Sequence, residues 1–416
     1  MHQRVNVKLD VDGVVAMLLS IIGVKQGDLL DPELFDFFMV AVMESWRATS
    51  SYELCSFRTR RDFQMTGRRH SAAGEEFSIG GLEYADDAGI PFCSRTDAVE
   101  QIPLAMRHFG CWGLQVHAGV LDPLVHSGLL DSSVLEPVKG SKSEVLYCSK
   151  PRHTYSNPLT FDGADLSPIL LPDHGFMPIV STFPYLGDIV TRYGGDHAAV
   201  TARIESGNRA FGALRSCLFS SNTVTREAKK VVYEAVVLNI SLYGCESWSL
   251  TEVLHLQLRR MHAWHLRSMC RVTLKHVWDH RISMHELGQR LQLDSIDMYV
   301  ARRQLRWIGH VARMDFDSRL PRRMLTAWVP SRRAIGAPRM TYGRSIFKQL
   351  AKFDIDLTRW HQLAADRAAW HETLRSGLAP PAFRPTLSPR ISRSKPKRAC
   401  TAVTMARIDT SLRLLA

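Results

Sequence analysis

The apolar positions of the first fifty residues change from a period of two to a helical period. Alternating apolar and polar residues predict strand structure over residues 5–22. Asp31 and Pro32 then predict the start of a helix, because proline fits the first helical turn without losing a hydrogen bond. The apolar residues of this helix recur at helical spacing and are Leu34, Phe35, Phe38, Val42 and Trp46.

Residues 77–92 (FSIGGLEYADDAGIPF) hold two adjacent carboxylates, Asp86 and Asp87, between two β-favouring segments. This pattern predicts a β-hairpin with the acidic pair at its tip. Oxygen ligands of this kind suit a divalent cation such as Mg²⁺. Two such ions, about 3.5–4 Å apart, serve enzymes that transfer nucleotidyl groups. A solvated surface turn is the alternative, since aspartate is common in turns without a catalytic role.

The pattern after the hairpin is mixed. An apolar stripe predicts a helix that Thr96 or Asp97 caps. Residues 113–117 and 143–148 then have the composition of strands. Several prolines over residues 149–182 predict a linker or a long loop.

From about residue 198 the apolar period becomes helical. It predicts successive amphipathic helices, one of them capped by Thr225. Single histidines on these helices, such as His265 on an apolar stripe, are expected to pack or to lie on the surface. After about residue 377 the chain is rich in proline, serine and arginine, which predicts a disordered basic tail.

The charge of the chain indicates the kind of partner that it binds. The 416 residues carry a net charge of +12, with 45% hydrophobic and 23% charged residues, the composition of a globular protein. Residues 201–344 alone contain 24 Lys and Arg against 11 Asp and Glu, a local excess of 13. Such an excess favours a polyanionic partner, with nucleic acid first and an acidic membrane surface second. A solvated helical surface is the alternative reading.

The cysteines and the first apolar run argue against a zinc-binding ribbon, a membrane span and a signal peptide. Eight cysteines are scattered without a C-x-x-C pair, which argues against a zinc ribbon and favours reduced thiols. Residues 13–24 are apolar but too short to span a bilayer, and the acidic residues before them do not suit a signal peptide. We expect an intracellular protein, and residues 394–398 (SKPKR) are compatible with nuclear entry.

Several short segments carry a family likeness by their sequence and by their order. They are residues 23–35 (GVKQGDLLDPELF), 82–88 (LEYADDA), 113–116 (GLQV) with 141–146 (SKSEVL), 183–187 (FPYLG), 242–248 (LYGCESW), 302–314 (RRQLRWIGHVARM) and 336–339 (GAPR) with Tyr342. Together they resemble the reverse transcriptase of non-LTR (LINE-type) retrotransposons. The first four match that family's motifs B, C, a split D and E, and the others match the region beyond the palm.

The resemblance implies roles for individual residues. Asp86 and Asp87 would bind catalytic Mg²⁺ or Mn²⁺, and Lys142 would donate a proton to the pyrophosphate leaving group. Tyr84 would lie near the primer terminus, although a packing role is an alternative for an aromatic residue. The nucleotide and the template strand would contact Lys25, Gln26 and Gly27. The nucleic-acid backbone would contact Arg302, Arg306 and Arg313.

The implied fold is α+β. A partial polymerase palm, a small antiparallel sheet with helices, would be followed by an all-helical thumb and carboxy-terminal region. The expected divisions are a palm with motifs B, C and D over 1–150, a linker over 151–182, basic helices over 183–376 and the disordered tail over 377–416. The partners would be an RNA template, a DNA primer and deoxynucleoside triphosphates, with neither a membrane nor an obligate protein partner.

The sequence departs from the family in one respect that bears on activity. The third metal-binding carboxylate of the family lies in motif A, well upstream of motif B, and only 22 residues precede Gly23 here. We therefore expect an amino-terminally truncated enzyme that is inactive by itself as an RNA-directed DNA polymerase. A non-catalytic nucleic-acid-binding remnant that uses the basic helical half is the alternative, and an unrelated helical scaffold is a third reading.

Overall fold

A computed structural model describes residues 5–11, 14–20, 30–65, 74–85, 87–128, 138–148, 167–192, 194–329, 340–377 and 404–409. The chain divides into two compact units. The first unit comprises Met1–Ser56, Ser78–Leu186 and Cys400–Ala416. The second comprises Phe57–Phe77 and Gly187–Ala399. None of the described helices combines the length and the apolar character that a membrane crossing requires.

The strands are short and are named here in chain order. They are β1 (Val5–Val11), β2 (Val14–Ser20), β3 (Cys55–Thr59), β4 (Glu75–Ile79), β5 (Leu82–Tyr84), β6 (Asp87–Phe92), β7 (Gly119–Val120), β8 (Glu144–Leu146), β9 (Ile169–Leu170), β10 (Gly175–Met177), β11 (Ile179–Val180), β12 (Thr182–Tyr185), β13 (Asp188–Thr191) and β14 (Thr404–Asp409).

The helices lie mostly in the second half of the chain. They are α1 (Asp31–Thr49), α2 (Arg95–Cys111), α3 (Pro123–His126), α4 (His197–Leu214), α5 (Arg226–Val232), α6 (Asn239–Ser241), α7 (Glu252–Cys270), α8 (Leu274–Asp279), α9 (Met284–Arg290), α10 (Ile296–Ala312), α11 (Leu320–Leu325), α12 (Tyr342–Lys352), α13 (Trp360–Ala365) and α14 (Arg367–Ser376). A π-helical turn, Arg215–Phe219, follows α4, and a second, Tyr233–Leu238, joins α5 to α6.

The largest sheet of the first unit has five strands in the order β11-β8-β14-β6-β5. Strand β14 comes last in sequence but lies in the middle, antiparallel to both β6 and β8. Strands β5 and β6 are antiparallel neighbours, and β11 runs parallel to β8. A three-stranded sheet has the order β7-β10-β9, and β1 and β2 form an antiparallel pair as the alternating residues predict.

The core of the first unit joins α1, α2 and β6. Their buried apolar residues include Val42, Met43 and Trp46 of α1, Ile102 and Phe109 of α2, and Ile90 and Phe92 of β6. Helix α1 begins with Asp31 and Pro32, which confirms the predicted start. Helix α2 is capped by Ser94, whose hydroxyl accepts from the amide of Asp97 at 3.0 Å, so the predicted caps Thr96 and Asp97 are wrong.

The strand predicted over residues 113–117 is absent from the described structure. Gly113 has φ +79° and ends α2, because its amide donates to the carbonyl of Gly110 at 2.9 Å. The next amide, that of Leu114, donates to the carbonyl of Phe109 at 2.9 Å. This pair of bonds is the Schellman arrangement, which requires the left-handed backbone that glycine supplies. The amides that would begin a strand therefore terminate a helix instead.

The second unit is helical and has two apolar clusters. One cluster gathers α4–α9 around buried aromatic residues, among them Phe211, Phe219, Tyr233 and Trp248. The predicted cap Thr225 is confirmed, since its hydroxyl accepts from the amide of Ala228 at 3.2 Å. The other cluster joins α10 to α12, α13 and α14 and includes Leu305, Ile308, Trp360 and Trp370.

Residues 57–77 belong to the second unit, a placement that the sequence analysis did not foresee. The hydroxyl of Thr59 donates to the carbonyl of Arg323 at 2.7 Å. Arg61 forms an ion pair with Asp317 at 2.7 Å. The guanidinium of Arg322 lies 3.9 Å from the ring centre of Phe63. These contacts join residues about 260 positions apart, and no local periodicity reports such pairings.

The tail predicted as disordered from residue 377 contains strand β14. Helix α14 ends at Ser376, close to the predicted boundary. Among residues 378–416, only 404–409 lie within the described part of the chain.

Candidate functional site

The predicted hairpin is present as β5 and β6. In its antiparallel register Tyr84, the last residue of β5, is opposite Asp87, the first residue of β6, and a tight turn begins at Ala85. Ala85 has φ +51°, the left-handed backbone that such tight turns require at a central position. Asp86 itself lies outside the described residues.

The residues around the turn differ sharply in burial. Asp87 is half-buried at the start of β6, and every residue from Ala88 to Phe92 is buried. Tyr84 is 65% exposed, so the alternative of a core-packing role for it is wrong. The chain thus anchors the hairpin through one buried strand and leaves its tip accessible to solvent.

Helix α1 and the segment FPYLG both contact strand β5. Arg47 at the end of α1 forms an ion pair with Glu83 at 2.7 Å. The hydroxyl of Tyr185, from the segment FPYLG, donates to the carbonyl of Leu82 at 3.3 Å. Helix α1, which begins within the motif B match, and the motif E match therefore both adjoin the strand that leads into the acidic pair.

Strand β14 relates Asp87 to Lys142. Arg407 of β14 is opposite Gly89 on one side and Glu144 on the other, so β6 and β8 run in the same direction. Lys142 lies two residues before Glu144, and Asp87 lies two residues before Gly89. Gly89 and Glu144 therefore lie two strand spacings or about 10 Å apart, and Asp87 and Lys142 come before them at the same end of the sheet. Lys142 is exposed, and its amide donates to Nδ1 of His117 at 3.3 Å.

The same register brings a further acidic residue to this end of the sheet, because Asp409 is opposite Asp87. Asp409 is not among the predicted site residues, since it lies in a segment without apolar periodicity. The predicted residues Lys25, Gln26 and Gly27 lie outside the described residues. Where side chains are described, no group of three or more His, Cys, Asp or Glu residues could hold a metal ion.

The three predicted phosphate-binding arginines occupy one helix, α10 and its C-cap, but differ in their contacts. Arg302 donates from Nε to the carbonyl of Leu374 at 3.2 Å and forms an ion pair with Asp294. Arg313 donates from Nη1 to the carbonyl of Ala364 at 2.6 Å. Arg306 is exposed and has no hydrogen bond or ion pair among the described residues. Two of the three arginines therefore also stabilise the fold.

Two histidines of the helical unit, His262 and His265, pack within its core, as expected. The hydroxyl of Tyr233 lies 2.9 Å from Nδ1 of His262 and 3.0 Å from Nδ1 of His265, and all three residues are buried. Burial lowers the pKa of His262 to about 4 and that of His265 to about 3. Both rings are therefore neutral near pH 7, which suits packing within the core.

The chain is similar in sequence to a transposon-derived protein. An uncharacterized transposon-derived protein of Caenorhabditis elegans is 25% identical to this chain over 202 residues, which cover 47% of this chain and 71% of the worm protein. No protein-family profile matches the chain, and no solved structure matches it. The similarity connects the chain with transposon-derived proteins.

Proposed function

We propose that this chain descends from the reverse transcriptase of a non-LTR retrotransposon and that its acidic hairpin is the metal-binding turn of a polymerase palm. The observation that carries the proposal is the β5–β6 hairpin, with Asp87 at the first position of β6 and Asp86 directly before it in the sequence. The contacts of Arg47 and Tyr185 with β5 add support, since they bring the motif E match and the helix that begins within the motif B match to the strand of the motif C match.

The residues present at the turn fit a hard divalent cation. Carboxylate oxygens are the ligands that Mg²⁺ and Mn²⁺ prefer, and the half-buried Asp87 lies next to the exposed tip with Asp409 opposite it in the ladder. Asp86 and Asp87 would hold the ion, which when bound would polarise phosphoryl oxygens. Lys142 lies at the same end of the sheet, where an ammonium group can donate a proton to a leaving phosphate. Tyr84 presents an exposed ring beside the turn.

Primer extension by the full chain tests the proposal. The substrates are an RNA template annealed to a DNA primer and the four deoxynucleoside triphosphates, with Mg²⁺ or Mn²⁺. The test variant is Asp86→Asn, and the matched control is Asp173→Asn, an exposed left-handed turn residue of the same unit where asparagine is tolerated.

We expect Asp86→Asn to lower any extension by the unmodified chain at least about 100-fold, because a lost metal ligand removes several kcal/mol of transition-state stabilisation. The control should extend as the unmodified chain does. Extension that persists in Asp86→Asn would exclude the acidic turn as the catalytic centre.

A second function, nucleic-acid binding without catalysis, is favoured by a separate observation. The basic excess of residues 201–344 falls in the helical unit, apart in sequence from the acidic turn. A chain of this kind would bind a primer–template with a steep salt dependence and show no Asp86-dependent extension. Measuring binding and extension on the same preparation distinguishes the two functions.

A further inference from the structure

Helices α10 and α14 enclose an open cleft of 460 Å³. Its lining is basic, and the lining residues are Arg302, Arg306, Ala368, His371, Glu372 and Arg375. Three arginines and one glutamate give the lining a formal charge of +2 with the histidine neutral. Only Arg302 and Arg306 of this set belong to the predicted phosphate-binding residues, so the α14 side of the cleft is new.

Close packing of α10 against α14 directly beside the cleft fixes the spacing of its two walls. The indole Nε1 of Trp370 on α14 donates to the carbonyl of Leu305 on α10 at 3.0 Å. Gly309 permits this approach, because a Cβ at that position would lie 2.2 Å from the same nitrogen. Arg302 adds a bond across the helices through the carbonyl of Leu374. Two helices fixed in this way present their charged side chains at a constant spacing.

The charges of the cleft are incompletely matched within the described part of the chain. Arg302 is paired with Asp294, and Arg375 is paired with Glu372 one turn away. The second pair is solvent-exposed, and such pairs contribute little and exchange readily. Arg306 has no ionic partner among the described residues. Arg302 and Arg306 are four residues apart on one helix face, so their like charges repel.

We infer that this cleft binds the phosphodiester backbone of a nucleic-acid strand, with Arg306 and Arg375 as the phosphate ligands and Arg302 as a positioning residue. A planar guanidinium group can donate two parallel hydrogen bonds to two oxygens of one phosphate. An anion between the two helices would also relieve the repulsion between Arg302 and Arg306 on α10. The open cleft suits a continuous polymer, and the surrounding basic excess favours nucleic acid over an acidic peptide. The inference rests on the proposed descent from a nucleic-acid-handling protein, but not on catalysis.

Fluorescence anisotropy of a labelled RNA–DNA duplex with the full chain tests the inference over a range of salt concentrations. The test variant is Arg306→Gln with Arg375→Gln. The matched control is Arg260→Gln with Arg344→Gln, which removes the same charge from exposed arginines of α7 and α12 in the same unit. A third variant, Glu372→Gln, removes the acidic group of the cleft. Thermal unfolding of each variant verifies that it is folded.

We expect the test variant to bind on the order of 10- to 60-fold more weakly at 0.1 M salt than the unmodified chain. Its plot of log affinity against log salt should be shallower by about 2, since about one counterion is released for each phosphate contact. The control should change much less. Glu372→Gln should bind more tightly by about threefold, because it removes a repulsive charge and releases Arg375.

Equal losses in the test and control variants would overturn the inference, and so would weaker binding by Glu372→Gln or no binding by the unmodified chain. These outcomes are separate from the primer-extension result. If extension is absent, as expected of a chain that is inactive by itself, and the cleft variants still lose affinity selectively, the chain binds nucleic acid without catalysis and the phosphodiester cleft stands.

Discussion

The acidic hairpin of the first unit and the basic helix α10 of the second unit place polar side chains in opposite ways. In the hairpin, the exposed Tyr84 and the wholly buried run from Ala88 to Phe92 are only four residues apart. In the hairpin, the residues that could contact a substrate are thus not the residues that pack in the core. In α10, Arg302 and Arg313 both lie on the predicted binding face and donate to backbone carbonyls of neighbouring segments.

The difference follows from the geometry of the two elements. A two-residue turn projects beyond its sheet, so its side chains make few contacts with the core. A helix in a bundle is surrounded by neighbours, and a long arginine side chain can reach the carbonyl at the end of another helix. A basic helical stripe therefore identifies a surface but does not distinguish a ligand-binding arginine from a structural one.

The largest expected effect separates packing from chemistry in the hairpin. Ile90→Ala should lower the free energy of unfolding of the first unit by about 2–5 kcal/mol, because the side chain is fully buried. Tyr84→Ala should change it by less than about 0.5 kcal/mol, because the ring is exposed. Denaturant titration measures both. A cost for Tyr84→Ala as large as that for Ile90→Ala would show that the two roles overlap in this unit as well.

The next effect concerns the buried histidines of the helical unit. Their folded pKa values lie below the unfolded value of about 6.5, so the unfolded chain binds more protons. The contribution of these two histidines to the free energy of unfolding is therefore fully present above pH 6.5. It is lost as pH falls through the folded pKa values near 4 and 3. For His262 alone the loss is on the order of 3 kcal/mol by pH 4. Thermal unfolding from pH 7.5 to pH 4.5 should reveal the decline.

Ring signals in a nuclear magnetic resonance titration give an independent check of this pH dependence. In the folded chain the rings of His262 and His265 should remain neutral down to pH 5. A ring that titrates near pH 6.5 in the folded chain would show that this histidine contacts water. Its burial would then not explain the pH dependence of stability.

The smallest expected effect separates two arginines on the same helix. Arg302→Gln should lower the free energy of unfolding of the second unit by about 1–2 kcal/mol, because it removes the bond to Leu374 and the ion pair with Asp294. Arg306→Gln should change it by less than about 0.5 kcal/mol. Comparable losses for both variants would show that Arg306 also stabilises the fold. Arg306 would then no longer differ from Arg302 as a residue that is free to bind phosphate.

Local signals predicted the elements that local physics determines. Pro32 at the start of α1, the cap Thr225 and the two strands of the acidic hairpin were foreseen because each depends on a few adjacent residues. The role of Gly113 was missed because the same glycine suits a strand or a helix end, and only the bonds from residues 113 and 114 decide between them.

The features that the sequence did not predict all depend on distant partners. The bond from Thr59 to Arg323, the close approach of Trp370 to Gly309 and the pairing of Asp409 with Asp87 leave no periodic signal near either residue. The α14 side of the basic cleft was missed for the same reason. Its residues became recognisable only when the structure placed them opposite Arg306.

The central position of β14 has a consequence for the order in which the chain folds during synthesis. Phe92 pairs with Thr404, so strand β6 must wait for a neighbour that the ribosome adds roughly 300 residues later, a delay of about 15–60 s. The helices from α4 to α14 emerge within that interval. The helical unit can therefore mature first, while the edge of β6 that pairs with β14 depends on temporary protection, which chaperones commonly provide for nascent β-structure.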